Sequence, residues 1–128
     1  MLKILIVDDS AECAESLARL LRLLGHEVWT ADCGQAGVDE ASRRYHDLIL
    51  IDLGMREMDG YEVARRLRDN FATRDANIVA ISGMATEEDK QKAILAGFDR
   101  HLAKPVDLPT LETLIGTIAR RQLDRAAV

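Results

Sequence analysis

The sequence is built around one apolar run with an acid at each end, Asp47-Leu48-Ile49-Leu50-Ile51-Asp52. Four consecutive branched aliphatic residues are typical of a strand covered on both faces, as in a parallel sheet between two layers of helices. Residues 2–9 repeat the pattern, because Leu2-Lys3-Ile4-Leu5-Ile6-Val7 leads directly into Asp8 and Asp9. The two segments therefore predict two buried strands that each end in carboxylates.

Strand-sized apolar runs alternate with helical patterns along the rest of the chain. The first helix carries leucines at positions 17, 20, 21 and 24, and Gly25 is expected to end it. The predicted strands are residues 2–7, 27–31, 47–51, 77–81 and 98–102, and a helix follows each of them. Five such pairs predict a doubly wound α/β fold, with parallel strands, right-handed crossovers and helices on both sheet faces. Residues 70–76 are the only stretch expected to be loose.

Size and charge exclude several classes of protein. The 128 residues fit one domain, 1–128, with a core over about 2–122 and a C-terminal tail over about 123–128. A net charge of -5 argues against direct nucleic acid binding, which needs a basic surface. Because no apolar run reaches membrane-span length and the first residues lack signal-peptide features, we expect no membrane insertion and a cytoplasmic location. Cys13 and Cys33 lack metal-ligand spacing and are expected to be reduced thiols.

Chemically active side chains follow the predicted strands at the point where each one ends. In doubly wound sheets this edge binds the ligand, at the position where the strand order reverses. An order of 2-1-3-4-5 would make the first and third strands neighbours and bring their carboxylates together. The residues in question are Asp8 and Asp9 after the first strand, Asp52 after the third, Ser82 after the fourth, and Lys104 followed by Pro105 after the fifth.

Three crowded carboxylates raise one another's pKa values unless a cation lies among them. Oxygen ligands suit a hard cation such as Mg²⁺, which retains part of its hydration shell. The cation could screen a phosphoryl group while Lys104 and Ser82 contact its other oxygens. One of the carboxylates would then be the nucleophile that forms an aspartyl phosphate.

The chain resembles a response-regulator receiver domain of two-component signalling systems over essentially its whole length. The motifs that carry the resemblance are Val7-Asp8-Asp9, Leu50-Ile51-Asp52-Leu53 with Met55, Met58, Asp59 and Gly60, Ile81-Ser82-Gly83, and Lys104-Pro105. The resemblance implies a flavodoxin-like (βα)5 three-layer sandwich with a five-stranded parallel sheet in the order 2-1-3-4-5. It also implies a phosphorelay function for the domain.

The resemblance implies a role for each matching residue. Asp52 would be the phosphoacceptor, Lys104 would bind the phosphoryl group, and the Lys104–Pro105 peptide bond would be cis. The switch pair would be Ser82 and His101. The Mg²⁺ site, which Mn²⁺ could also occupy, would be formed by Asp8, Asp9, Asp52 and the Gly54 backbone carbonyl.

The implied partners are a histidine kinase or histidine phosphotransfer protein and an unknown output partner. Phosphorylation would switch the face formed by helix 4, strand 5 and helix 5 in a monomer or weak dimer. The chain would catalyse only its own phosphotransfer and dephosphorylation and would not be a turnover enzyme.

The alternative is a degenerate receiver that docks proteins without phosphorylation. A flavin-binding module would instead need a phosphate-cradling loop after the first strand, and an aspartate-nucleophile phosphatase would need its nucleophile there.

Three departures from the family pattern matter, the third of which involves a pair of residues. His101 stands where Tyr or Phe is usual, which leaves its coupling to Ser82 open and gives it a titration near neutral pH. Arg56 stands where proline is common, so we expect a more mobile loop after Asp52. Gly54 and Met84 flank the expected approach of hydrolytic water, and the bulk of Met84 would slow loss of the phosphoryl group.

Several other polar residues are not assigned to the predicted site. Asp59 with Gly60 is expected to cap the third helix. His26 and His46 are expected to be solvated. Seven arginines are expected to form solvated helix faces, namely Arg43, Arg44, Arg65, Arg66, Arg68, Arg120 and Arg121.

Overall fold

The computed structural model describes residues 1–83 and 86–126, which form one five-stranded parallel sheet in the order β2-β1-β3-β4-β5. The predicted fold class and strand order are confirmed. The elements are β1 (Lys3–Val7), α1 (Ala11–Leu23), β2 (Glu27–Ala31), α2 (Gly34–Arg43), β3 (Leu48–Asp52), α3 (Gly60–Asp69), β4 (Asn77–Ser82), α4 (Glu87–Ala96), β5 (Arg100–Ala103) and α5 (Leu108–Ala126). Each strand lies within about two residues of its predicted bounds, which is the usual uncertainty of such assignments.

The central strands are buried on both faces, as their continuous apolar sequences predict. All five residues of β3 and the last four of β1 are buried. Because successive side chains of a strand point to opposite faces, the same strand supplies two separate cores. Leu5 and Ile49 pack with α2, α3 and α4, whereas Ile4 and Leu48 pack with α1 and α5. Burying each such side chain stabilises the fold by roughly 1.5–3 kcal/mol.

Side-chain caps start the helices close to the sheet edge that carries the acids. Ser10, Cys33, Asp59 and Thr86 each accept a hydrogen bond from a backbone N–H group in the first turn of the helix that follows. Asp59 is therefore a helix cap, as predicted. Gly97 ends α4 at φ 113°, in the left-handed region that glycine enters without steric cost.

The stretch 70–76 is more ordered than the sequence suggests. Thr73 is buried, and its hydroxyl donates a 2.6 Å hydrogen bond to the carbonyl of Leu67. The Arg68 guanidinium, at the end of α3, donates hydrogen bonds to the carbonyls of Arg74 and Ala76 in the segment that follows. The expectation of a loose segment is therefore wrong, because its backbone carbonyls have side-chain donors that the local sequence does not reveal.

Arg68 is not on a solvated helix face, so that expectation is wrong for this residue. Its Nε donates to the carbonyl of Gly97 at 2.9 Å, and its Nη2 lies 3.1 Å from Asp99 Oδ2. The side chain thus joins α3 to the end of α4. An arginine can do this because its planar fork offers five donors to several acceptors at once.

Of the two histidines outside β5, His46 is not solvated, contrary to expectation, and His26 is only partly exposed. His46 is buried in the connection before β3, with its ring edge-on to Trp29 at 5.3 Å between centroids. His26 is half-buried, and its Nδ1 accepts a 3.0 Å hydrogen bond from the Leu2 N–H group. Both were misjudged because the residues that cover them are distant in sequence.

The last helix continues to Ala126, so residues 123–126 are helical where a tail was expected to begin. No helix among the described residues is both long and apolar enough to cross a membrane.

Candidate functional site

Three carboxylates meet at the carboxyl edge of the sheet. Asp52 is the last residue of β3, and Asp8 and Asp9 directly follow β1, which is the neighbour of β3 in the sheet. Each of the three offers a carboxylate oxygen, and these oxygens lie within 4.8 Å of one another. Asp8 and Asp52 are buried and Asp9 is partly exposed. The predicted convergence at this edge is present in the structure.

Lys104 brings a cation into this acidic group. Its Nζ lies 3.3 Å from Asp52 Oδ1 and 3.9 Å from Asp8 Oδ2. The Lys104 N–H group donates a 2.8 Å hydrogen bond to the Ser82 carbonyl, which holds the lysine beside the end of β4. The Lys104–Pro105 peptide bond that follows is cis. The segment that follows β5 thus places the ammonium group against the carboxylates.

The pKa shifts reflect an excess of buried negative charge. Burial raises the pKa of Asp8, the hydrogen bond from the Ser10 N–H group lowers it, and the Asp52 charge raises it further. Burial lowers the pKa of Lys104, but the charges of Asp52 and Asp8 outweigh that effect and raise it overall. Three carboxylates here face Lys104 and the exposed guanidinium of Arg56, so a further cation would relieve the repulsion that remains.

The donor set at this edge fits Mg²⁺. All three side chains offer carboxylate oxygens, which hard divalent cations prefer, and the partly exposed Asp9 leaves room for water ligands. Gly54 lies beside the cluster, and its N–H group donates to Asp52 Oδ1 at 3.2 Å. The predicted role of the Gly54 carbonyl as a ligand stays a prediction.

Ser82 and His101 are in direct contact. Ser82 ends β4, where Ile81 pairs with Asp52, so the hydroxyl lies one residue further along the neighbouring strand. His101 Nε2 lies 2.9 Å from Ser82 Oγ, a normal hydrogen-bond distance. The coupling that the sequence left open is therefore a hydrogen bond between the two predicted switch residues.

The loop after Asp52 is attached to the acidic cluster through Arg56. The Arg56 N–H group donates to Asp9 Oδ2 at 3.2 Å, and its Nε lies 3.6 Å from the same oxygen. The sequence predicted a more mobile loop and did not reveal this contact, because 47 residues separate Arg56 from Asp9. Met84, expected to control the approach of water, lies outside the described residues.

Gly60 is a second feature of the site that the local sequence does not reveal. A Cβ added there would lie 2.7 Å from the Asp52 backbone oxygen and 2.9 Å from Leu53 Cα. The start of α3 therefore packs directly on the backbone that carries the central carboxylate. The Asp59-Gly60 pair in the sequence was a signal for a cap, but not for this close approach.

A cavity of about 680 Å³ opens beside the carboxylates, between α1 and the segment that follows β5. Asp8, Asp52 and Lys104 line its mouth, and Leu17, Leu20 and Val106 belong to its apolar wall. A partner's side chain could therefore approach Asp52 from this direction while apolar contacts form beside it.

Comparison with known proteins gives a consistent picture. A family model described as "Response regulator receiver domain" matches residues 4–116. The cell cycle response regulators CtrA of Brucella ovis and Brucella canis are each 34% identical over 125 residues, covering 98% of this chain and 53% of theirs. The chain thus spans about half the length of these curated relatives.

Solved structures with the same fold cover most of both chains. The chemotaxis protein CheY4 of Vibrio cholerae has a TM-score of 0.87 at 28% identity, covering 92% of this chain and 98% of its own. The receiver domain of the sensor histidine kinase PA1611 of Pseudomonas aeruginosa has a TM-score of 0.85 at 29% identity with the same coverage. The latter has a magnesium ion coordinated in its active-site cleft.

Proposed function

The chain belongs to the response regulator receiver domain family of two-component systems, and from that premise we propose that Asp52 accepts a phosphoryl group from a phosphohistidine of a partner protein. The observation that carries the proposal is the meeting of Asp8, Asp9 and Asp52 within 4.8 Å, with the Lys104 ammonium 3.3 Å from Asp52. The three carboxylates can hold a divalent cation, and the lysine can neutralise a phosphoryl oxygen.

The transfer is a single displacement at phosphorus. A carboxylate oxygen of Asp52 attacks the phosphorus atom, and the new P–O bond forms as the P–N bond to the donor imidazole breaks. The leaving nitrogen keeps the electron pair of that bond and takes a proton from water. Asp52 is held for this attack by its position at the end of a fully buried strand and by the N–H group of Gly54.

Magnesium is the cation that we propose for the site, with manganese as a substitute. Asp8, Asp9, Asp52 and the Gly54 carbonyl would hold it, with waters completing the shell. When bound, the cation screens the charges of the carboxylates and of the incoming phosphoryl group. The magnesium ion in the related receiver of PA1611 supports this choice.

Phosphorylation would act as a two-state switch. The Ser82 hydroxyl would donate to one phosphoryl oxygen, Lys104 would pair with another, and the loops after β3 and β4 would shift. The affinity of the face formed by α4, β5 and α5 for an output partner would change with them. Ile94 and Leu95, exposed on α4, offer that face apolar contacts.

The wider function follows from the family as part of the same proposal. The donor would be a histidine kinase or a histidine phosphotransfer protein, the compartment would be the cytoplasm, and the chain would be a monomer or weak dimer. The chain would catalyse only its own phosphorylation and dephosphorylation, with no turnover of an external substrate. The chain spans about half the length of its curated relatives. For a whole protein we therefore propose only that this domain regulates an output activity.

The test is intact-protein mass spectrometry after incubation with acetyl phosphate and Mg²⁺. We expect a gain of one phosphoryl group in the wild type, loss of that gain on chelation of the metal, and no gain in Asp52→Asn. The surface variant Asp39→Asn should gain the group like the wild type. No gain in the wild type would favour a docking domain without phosphorylation, and equal gain in Asp52→Asn would place the acceptor at another residue.

A further inference from the structure

His101 faces α4 and the Ser82 hydroxyl. Its neighbours on β5, Arg100 and Leu102, both line a groove beside α5. Because side chains alternate along a strand, His101 points to the other face of the sheet. There its Nε2 lies 2.9 Å from Ser82 Oγ, and the ring is partly buried. The imidazole therefore contacts the hydroxyl that the proposed switch requires.

The protonation state of the imidazole decides where the Ser82 proton can go. A hydroxyl has one proton to donate and two lone pairs to accept with. If neutral His101 carries its proton on Nδ1, then Nε2 accepts the Ser82 proton. If the imidazole is protonated, both ring nitrogens are donors, so Nε2 must donate to Ser82 Oγ. The Ser82 proton then turns away from His101.

We propose that His101 is a positioning residue for Ser82, and that its protonation directs the Ser82 hydroxyl proton toward a phosphoryl group on Asp52. Neutral His101 with its proton on Nδ1 competes for that proton and weakens the switched state. The inference rests on the proposed function and adds a pH dependence that an aromatic Phe or Tyr at this position would not confer.

Burial and the charged groups of α4 together lower the pKa of His101 from its usual range. Burial lowers the pKa of His101, Lys90 of α4 lowers it further, and Asp89 of α4 raises it. Arg100 and the residues of α5 lie across the sheet, and Lys104 is paired with Asp52. A phosphoryl group on Asp52 would favour the imidazolium form. By linkage, the imidazolium would favour the phosphorylated state by the same factor.

The experiment uses beryllofluoride with Mg²⁺ as a phosphoryl stand-in, which avoids the pH dependence of a phosphodonor. Its affinity is measured calorimetrically from pH 7.5 to pH 5.5 for the wild type and for His101→Phe. We expect the ratio of wild-type to variant affinity to rise about three- to tenfold toward acid pH. Taking the ratio of affinities cancels the effects of pH on the metal site and on the probe. The control variant His26→Gln should have the same pH profile as the wild type.

Two further measurements separate positioning from a general structural effect. The His101 pKa, followed by NMR of its ring proton, should rise when beryllofluoride and Mg²⁺ bind. In a Ser82→Ala background the wild-type advantage over His101→Phe at acid pH should disappear. Identical pH profiles for the wild type and His101→Phe would overturn the role of His101 and leave the proposed function standing. No binding at any pH by either protein would overturn both.

Discussion

Replacing Gly60 with alanine tests how closely the start of α3 controls the phosphoacceptor. The added Cβ would meet the Asp52 carbonyl oxygen at 2.7 Å and Leu53 Cα at 2.9 Å, where ordinary contacts begin at 3.4 Å. Both atoms belong to the backbone, so the strain cannot be relieved by a side-chain rotation. The end of β3 or the start of α3 must move by about 0.7 Å to bring the closer contact to an ordinary distance. Overpacking of this kind destabilises a fold by roughly 1–3 kcal/mol.

We expect the midpoint of thermal unfolding of Gly60→Ala to fall by roughly 5–10 °C in a chain of this size. The displaced Asp52 should also react about tenfold more slowly with acetyl phosphate at a temperature where the variant is folded, because catalytic groups are sensitive to sub-ångström displacement. Urea unfolding gives the stability, and the rate of phosphoryl gain by mass spectrometry gives the reactivity.

Gly116→Ala is the matched control. Gly116 is exposed within α5, and a Cβ there meets nothing within 4 Å. Alanine should therefore stabilise the helix by about 0.5–1 kcal/mol without changing the phosphorylation rate. If Gly60→Ala unfolds at the same urea concentration as the wild type, the close packing described here is incorrect. If it is destabilised but reacts at the wild-type rate, α3 does not position Asp52.

Three further predictions concern charge. Mg²⁺ at 100 times its dissociation constant should stabilise the fold by about 2.7 kcal/mol, measured by thermal unfolding. The Asp9→Asn variant should lose most of this stabilisation, and the surface variant Asp124→Asn should retain it. Arg56→Ala should bind Mg²⁺ roughly two- to threefold more tightly at low ionic strength, because the wild-type guanidinium beside Asp9 competes with the metal. Equal affinities of the two proteins in calorimetry would refute that competition. Burial lowers the pKa of His46, although the charge of Glu40 acts in the opposite direction. The contribution of neutral His46 to the free energy of unfolding is therefore complete above about pH 6.5, and it is lost as the pH falls below that value. In urea unfolding His46→Phe should therefore lose less stability than the wild type between pH 7 and pH 5, and parallel losses would contradict this assignment.

Much of the fold could be predicted from the sequence because its signals are local. Consecutive apolar residues such as Ile49, Leu50 and Ile51 must be covered on both faces, and only a sheet between helix layers covers them. The place of Asp52 beside Asp8 then follows from parallel pairing, which brings the carboxyl ends of adjacent strands to one edge. Capping residues such as Asp59 were equally predictable, because a cap acts within four residues of itself.

The errors at His46 and Arg68 share one physical cause, which is that the decisive partner is far away along the chain. His46 was expected in solvent, but Trp29 of another strand covers it. Arg68 was expected on a solvated face, but the Gly97 carbonyl, 29 residues further on, accepts its Nε–H group. Helical spacing can indicate the exposed side of α3, but it cannot indicate which distant carbonyl will lie there.

By itself the sequence determined the element order, the doubly wound fold and the set of acids and Lys104 at one sheet edge. Only the tertiary structure decided which of these groups touch. The contact between Ser82 and His101 depends on the register of β4 against β5, where Ala80 is paired with His101. The contact between Arg56 and Asp9 depends on how one loop folds over another. Hydrogen bonds form or fail over a few tenths of an ångström, and packing of the whole chain sets distances on that scale.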